Sequence, residues 1–164
     1  MAGVDVDWLD DAERAAWLRL IGMVELLPVA LDSHMRQQAG LTHFEYYVLA
    51  MLSEAPERTL RMTALAARTN ATLPRLSHVV RRLEDRNLVE RFPCPEDGRA
   101  TNARLTDTGW EKVRTTAPKH VGEVRRLVFD ALTPEQVDRL TEIAGAVLAR
   151  LDPDGTLMPG AASP

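Results

Sequence analysis

At 164 residues the chain is long enough to bury one ordinary core without staples, and 45% hydrophobic with 27% charged residues is the balance of a packed domain, not of a disordered or collagenous segment. The formal net charge of −4 argues against a uniformly basic nucleic-acid binder, and the lone cysteine, Cys94, excludes an internal disulfide or a cysteine-built zinc cluster. No apolar run approaches the roughly 18 residues that span a bilayer, and the acidic start Val4-Asp5-Val6-Asp7 lacks the flanks of a secretion signal, so a cytoplasmic protein without membrane contact is expected.

In chain order, Leu9, Ala12, Ala16, Leu20, Met23, Leu27, Leu31 and Met35 recur at spacings of three and four, the stripe of a long first helix that Gly40 ends. Pro28 removes a backbone donor from its interior, and a kink or short break is expected there. Thr42-His43-Phe44-Glu45 reads as a capping box opening a second helix, with Tyr46, Leu49 and Leu52 at helical spacing and Pro56 as the stop. Thr59-Leu60-Arg61 leaves room for one brief strand. A short third helix is expected from about Met62 to Arg68, with Leu65 and Ala66 facing inward, and Thr69-Asn70-Ala71-Thr72 then supplies turn and cap chemistry. The fourth helix carries the stripe Leu73, Leu76, Val80 and Leu83, ends near Asn87, and has Pro74 in its first turn, where a missing amide matters least. Short helix, tight turn, longer helix is the outline of a helix-turn-helix.

Leu88 to Phe92 and Ala100 to Leu105 read as two strands of a hairpin wing, joined through a turn centred on Asp97-Gly98. Thr106 can cap a fifth helix with the stripe Trp110, Val113, Ala117, Val121, Val124 and Val128, kinked or broken at Pro118. Thr133-Pro134-Glu135-Gln136 opens a sixth, whose buried face is expected to be Val137, Leu140, Ala144, Val147 and Leu151. Residues 152–164 hold three prolines and two glycines without periodicity and are expected to be a disordered tail. There is no internal repeat. The fold class is mainly α with a small β-hairpin wing, a winged helix-turn-helix flanked by N- and C-terminal helices.

The distribution of charge qualifies its total. From Arg58 to Arg104 there are ten arginines against five acids, a local charge of +5, while the remainder, with ten basic and nineteen acidic residues, carries −9. On the fourth helix, steps of 100° put the leucine stripe on one side and Pro74, Arg75, His78, Arg81 and Arg82 on the other. Such a face suits the major groove, where arginine pairs with guanine edges and Ser77 or His78 can bond bases or phosphates, while the helix N-terminus near Thr72 favours a phosphate. An isolated basic helix face is also simply a solvated one; here it follows a short helix and precedes a hairpin. In that hairpin Arg99 can project into a narrow minor groove, oriented by a charge-assisted bond from Asp97.

The run from Leu65-Ala66 through Leu83-Glu84-Asp85-Arg86-Asn87-Leu88-Val89-Glu90-Arg91 to Asp97-Gly98-Arg99-Ala100 and Leu105-Thr106-Asp107-Thr108-Gly109 resembles the multiple antibiotic resistance regulator (MarR) family, as does Leu41-Thr42 to Glu45. The likeness covers about residues 10 to 150. It departs at Pro93-Cys94-Pro95 in the wing and at Pro118. The resemblance implies a homodimer with intertwined first and last helices, groove-facing Arg75, His78 and Arg81, and a wing-tip Arg99. Residues 1–40 would then be an N-terminal dimerisation region, 41–105 the winged DNA-binding region, 106–151 the C-terminal dimerisation helices and 152–164 the tail. The expected function is a transcription regulator, a repressor that binds double-stranded pseudo-palindromic operator DNA as a homodimer and is released by a small hydrophobic or phenolic effector. As the resemblance implies, that effector would meet Trp17, Met23, Met35, Tyr46, Tyr47 and Met51, residues that core packing also explains.

Other readings find less support. The four histidines, 34, 43, 78 and 120, lack the partner spacing of a catalytic group, and no glycine-rich phosphate loop or paired-carboxylate motif occurs, so no enzyme and no cofactor are expected. Scattered His34, His43, Glu45 and His120 are more often surface or core residues than metal ligands, and no metal is assigned. Cys94 would be a redox switch only if a neighbour such as Arg91 stabilised its thiolate. The alternative function is a winged-helix module that binds protein instead of DNA, which would not need Arg75, Arg81 and Arg99 to be free of internal ion pairs.

Overall fold

Side-chain caps set the start of the principal helices. Asp10 with Glu13, Thr42 with Glu45 and Thr133 with Gln136 form capping boxes, while Thr72 and Thr106 each accept one amide of a first turn. In the computed structural model, which describes residues 7–157, these caps open α1 (Asp11–Ala39), α2 (His43–Ser53), α4 (Leu73–Glu84), α5 (Asp107–Leu127) and α6 (Pro134–Leu151). The short α3 (Met62–Arg68) has no side-chain cap. Gly40, at φ 62°, closes α1 in a left-handed conformation that costs glycine nothing.

Neither interior proline breaks its helix. α1 runs through Pro28 and α5 through Pro118 as continuous helices, so of the kink or break expected at each the break does not occur. Both prolines sit on exposed sides, where water can satisfy the carbonyl each leaves without a donor.

Three strands, β1 (Thr59–Arg61), β2 (Val89–Cys94) and β3 (Asp97–Leu105), form an antiparallel sheet in the order β1-β3-β2. The hairpin turn is at Pro95-Glu96, not at Asp97-Gly98. Proline presets the φ of a turn's first corner, and Asp97 does other work: its carboxylate accepts the Arg99 amide at 3.1 Å. Cys94 pairs with Asp97 and Pro93 with Thr101, so Gly98, Arg99 and Ala100 bulge from the ladder at the wing tip.

The core lies within the winged head. Leu49 and Leu52 of α2, Leu65 of α3, Leu76, Val80 and Leu83 of α4, and Ala103 of β3 are buried together, with Met35 from the end of α1 and Val113 from α5. On α4 the inward stripe is Leu76, Val79, Val80 and Leu83; Leu73, expected inside, is exposed. At the base of the wing Thr106 donates its hydroxyl to Asn87 O at 2.8 Å and accepts the Gly109 amide at 2.9 Å. A Cβ on Gly109 would fall on the Leu88 carbonyl and 2.7 Å from Leu105 Cδ1, so close approach of α5 to the sheet requires glycine.

The flanking helices depart from the expected burial. α5 turns Gly109, Val113, Thr116 and Glu123 inward and leaves Trp110 and Val121 exposed. On α6 no residue is buried: of the face Val137 to Leu151 the described residues half-cover Val137 and Ala144 and leave Leu140, Val147 and Leu151 exposed. α1 buries only Leu31 and Met35, both in its C-terminal part. Of the expected tail, Asp152 accepts the amides of Thr156 and Leu157, and Tyr47 donates its hydroxyl to Leu157 O at 3.3 Å; the rest of the tail, like Val4 to Val6, lies outside the described residues.

Candidate nucleic-acid interface

The inward packing of Leu76, Val79, Val80 and Leu83 rotates Pro74, Arg75, His78 and Arg81 to the exposed side of α4. Thr72 caps the helix, its hydroxyl accepting the Arg75 amide at 3.5 Å. The guanidinium of Arg75 lies 4.3 Å from the centroid of the Phe44 ring, a cation–π contact between α4 and α2. Arg81 Nη2 is 3.1 Å from His78 Nδ1.

Ion pairing sorts the ten arginines of the basic segment. Arg58 meets Asp107, Arg61 meets Glu96, Arg91 meets Glu84 and Arg104 meets Glu90, while Arg82 and Arg86 share Glu45. Among the described residues Arg68, Arg75, Arg81 and Arg99 have no ion-pair partner. Three of these four are the cations expected at the grooves. Arg82, expected beside them, instead reaches the buried Glu45 at 2.9 Å.

Between α4 and the wing runs a cleft of about 190 Å³ lined by Arg61, Thr63, Ser77, Arg91, Arg99 and Thr101, among others. Ser77 therefore faces the wing, and Arg99 is on the opposite wall. Asp97 does orient this segment, through the Arg99 backbone amide and not through its guanidinium. Cations and hydroxyls line this cleft, the kinds of group that bind a phosphodiester by charge and hydrogen bonds without regard to base. Phe44, Glu45, Arg61 and Thr63 escaped the sequence reading. Glu45 was legible as half of a capping box and was weighed as a metal ligand, and nothing local ties it or the other three to the recognition helix or to the cleft.

Cys94 is buried in the wing turn. The amide of Glu96 is the main influence holding its thiol below the ordinary value; burial opposes it, and the Asp97 amide and Arg61 add to it. The basic neighbour is thus Arg61, where Arg91 was expected.

Of the residues considered for an effector, Met35 and Tyr46 are in the core and Met51 packs against it. Tyr47 donates to the Arg68 carbonyl at 3.1 Å. Trp17 and Met23 are exposed on the first two-thirds of α1, apart from the core. Nearby, the His43 and His120 ring centroids are 5.6 Å apart, Tyr46 lies 4.8 Å from His120, and His34 Nδ1 is 3.5 Å from Glu123. Burial lowers the pKa of both His43 and His120, and for His120 the neighbouring His43 and His34 lower it further. Among the described residues no three of these ligand types converge to hold a metal ion.

Residues 39–100 match the pattern that defines the MarR family. The structure is similar to that of Sco3205, a MarR family transcriptional regulator from Streptomyces coelicolor solved in complex with DNA, with TM-score 0.85 and 44% identity over 92% of this chain and 94% of that one. AbsC, a MarR family regulator from the same organism, gives TM-score 0.83 and 38% identity over 89% of this chain and 98% of that one. The transcriptional repressor IacR of Pseudomonas putida is 30% identical over 109 residues, 64% of this chain, which spans 61% of that relative's length.

Proposed function

The chain belongs to the MarR family of transcriptional regulators and is not an enzyme, and from that premise we propose that it binds operator DNA as a homodimer, with α4 in the major groove and the wing tip at the minor groove. The observation that carries the reading is the freedom of Arg75, Arg81 and Arg99 from internal ion pairs, in a segment where six other arginines are tied down. A module that binds protein alone has no need of that selection. The DNA complex of the 44% identical Sco3205 supports the same reading.

The dimer is supported by the unburied apolar faces of α1 and α6, and repression by the name of the relative IacR. A small hydrophobic or phenolic effector would act where α2 meets the stem, near Tyr46, Tyr47 and Met51, by favouring a dimer with its α4 helices out of step with successive grooves. Binding isotherms on the DNA upstream of the chain's own gene, against a scrambled duplex, test the proposal. Tighter binding to the upstream DNA, weakened by at least one phenolic or hydrophobic compound, is expected. Equal binding to both duplexes removes the operator, and indifference to a broad panel removes the effector.

A further inference from the structure

We propose that Glu45 limits sequence-independent DNA binding by withholding two arginines at the C-terminal end of the recognition helix, Arg82 and Arg86, from the phosphate backbone. The inference rests on the DNA-binding reading above and concerns residues that do not enter it. Glu45 is 1% exposed, at the first turn of α2, and its carboxylate faces the far end of α4. One oxygen lies 2.9 Å from Arg82 Nη2. The other accepts the Thr42 amide at 2.8 Å and lies 3.8 Å from Arg86 Nη1. A single buried carboxylate therefore engages two cations, one in the last turn of α4 and one just beyond it.

The arginines themselves are not buried: 48% of the Arg82 side chain and 38% of that of Arg86 remain exposed. Freed of Glu45, both have the length and access to reach an anion. A phosphate contact of this kind adds affinity for every sequence alike, because the backbone carries no base information. Specificity is a difference of affinities, so two more backbone cations raise the competing term. A carboxylate out of water is poorly screened by salt and holds its cations where a surface acid would release them. The pairing leaves Arg75, Arg81 and Arg99 as the free cations of the face.

Glu45→Gln keeps an acceptor for the Thr42 amide and the side-chain volume but loses the charge. On scrambled DNA across a salt series, its plot of log affinity against log salt should be steeper than wild type by about 0.9 for each arginine released, or about eightfold in affinity per tenfold change in salt. Affinity for scrambled DNA should rise more than affinity for the operator, since a docked helix cannot shift to meet new phosphates. Adding Arg82→Gln and Arg86→Gln to this variant should restore the wild-type slope. A folded Glu45→Gln chain with an unchanged or shallower slope overturns the inference, a result a merely structural role for Glu45 would give. If Glu45→Gln fails to fold, Arg82→Gln with Arg86→Gln in the wild-type chain decides: an unchanged slope upholds the inference, and a slope shallower by about 0.9 or more overturns it. A wild-type chain that binds no duplex removes the DNA-binding reading and this inference with it, whereas normal wild-type binding with an unaltered variant slope removes this inference alone.

Discussion

Arg75 and Arg99 are both unpaired and exposed, yet they stand on different elements and should fail differently. Arg75 lies against Phe44 at the start of α4, the end that in the proposed docking would meet base edges. A bidentate arginine contact there is worth about 1 to 3 kcal/mol of discrimination between bases. Arg99 stands in the bulge at the wing tip, which in the proposed docking meets the minor groove, where the potential favours a cation with little regard to sequence. Arg75→Ala should narrow the gap between operator and scrambled DNA, and Arg99→Ala should weaken both and flatten the salt dependence by roughly 0.9 in logarithmic slope. Isotherms over a salt series check this, and folded variants that both keep wild-type affinity and slope would mean the face is merely solvated. The outward direction of Arg75 was legible from helical periodicity alone. The inward turn of Arg82, one position from Arg81, was not, because it depends on a carboxylate 37 positions earlier in the chain, brought close only by folding.

At the junction of α1, α2 and α5, burial disfavours the charged forms of His43 and His120, and the approach of His34 adds to this at His120. Glu123 faces His34 and is itself bound to Arg126, and Tyr46 faces His120. The folded chain thus resists taking up protons that the unfolded chain accepts from about pH 6.5 downward. Stability should be level above that value and fall as pH drops below it. Asp32 adds loss only at lower pH: burial acts to raise its pKa, but the Arg36 hydrogen bond and the His43 amide bring it below the ordinary value, near 4. Thermal melts should show the decline between about pH 6.5 and 5 in wild type and a flatter profile in His120→Gln; parallel profiles would contradict the assignment. Element starts were legible because Thr42-x-x-Glu45 and Thr133-x-x-Gln136 cap their own helices locally. The wing turn was misplaced because Asp97-Gly98 chemistry serves a bulge as well as a turn, and Pro95 decides between them.

For the whole molecule, α1 and α6, the helices expected to carry more apolar surface than one winged head can cover, leave most of it open in the single chain. Leu26 and Val29 on α1, and Ile143 and Leu151 on α6, are each more than 60% exposed in the single chain. Periodicity identifies which side of a helix is apolar and is silent on which chain covers it. For a two-fold pairing of these faces to read DNA, its two winged heads would have to stand about 34 Å apart, the spacing of successive major grooves. Such a dimer is the proposed DNA-binding unit. Sedimentation of the chain alone and with its upstream duplex tests it most directly. Twice the chain mass of 18.3 kDa is expected in the absence of DNA and two chains on each bound duplex, whereas an 18.3 kDa species at micromolar concentration, or one chain per duplex, would rule the dimer out as that unit.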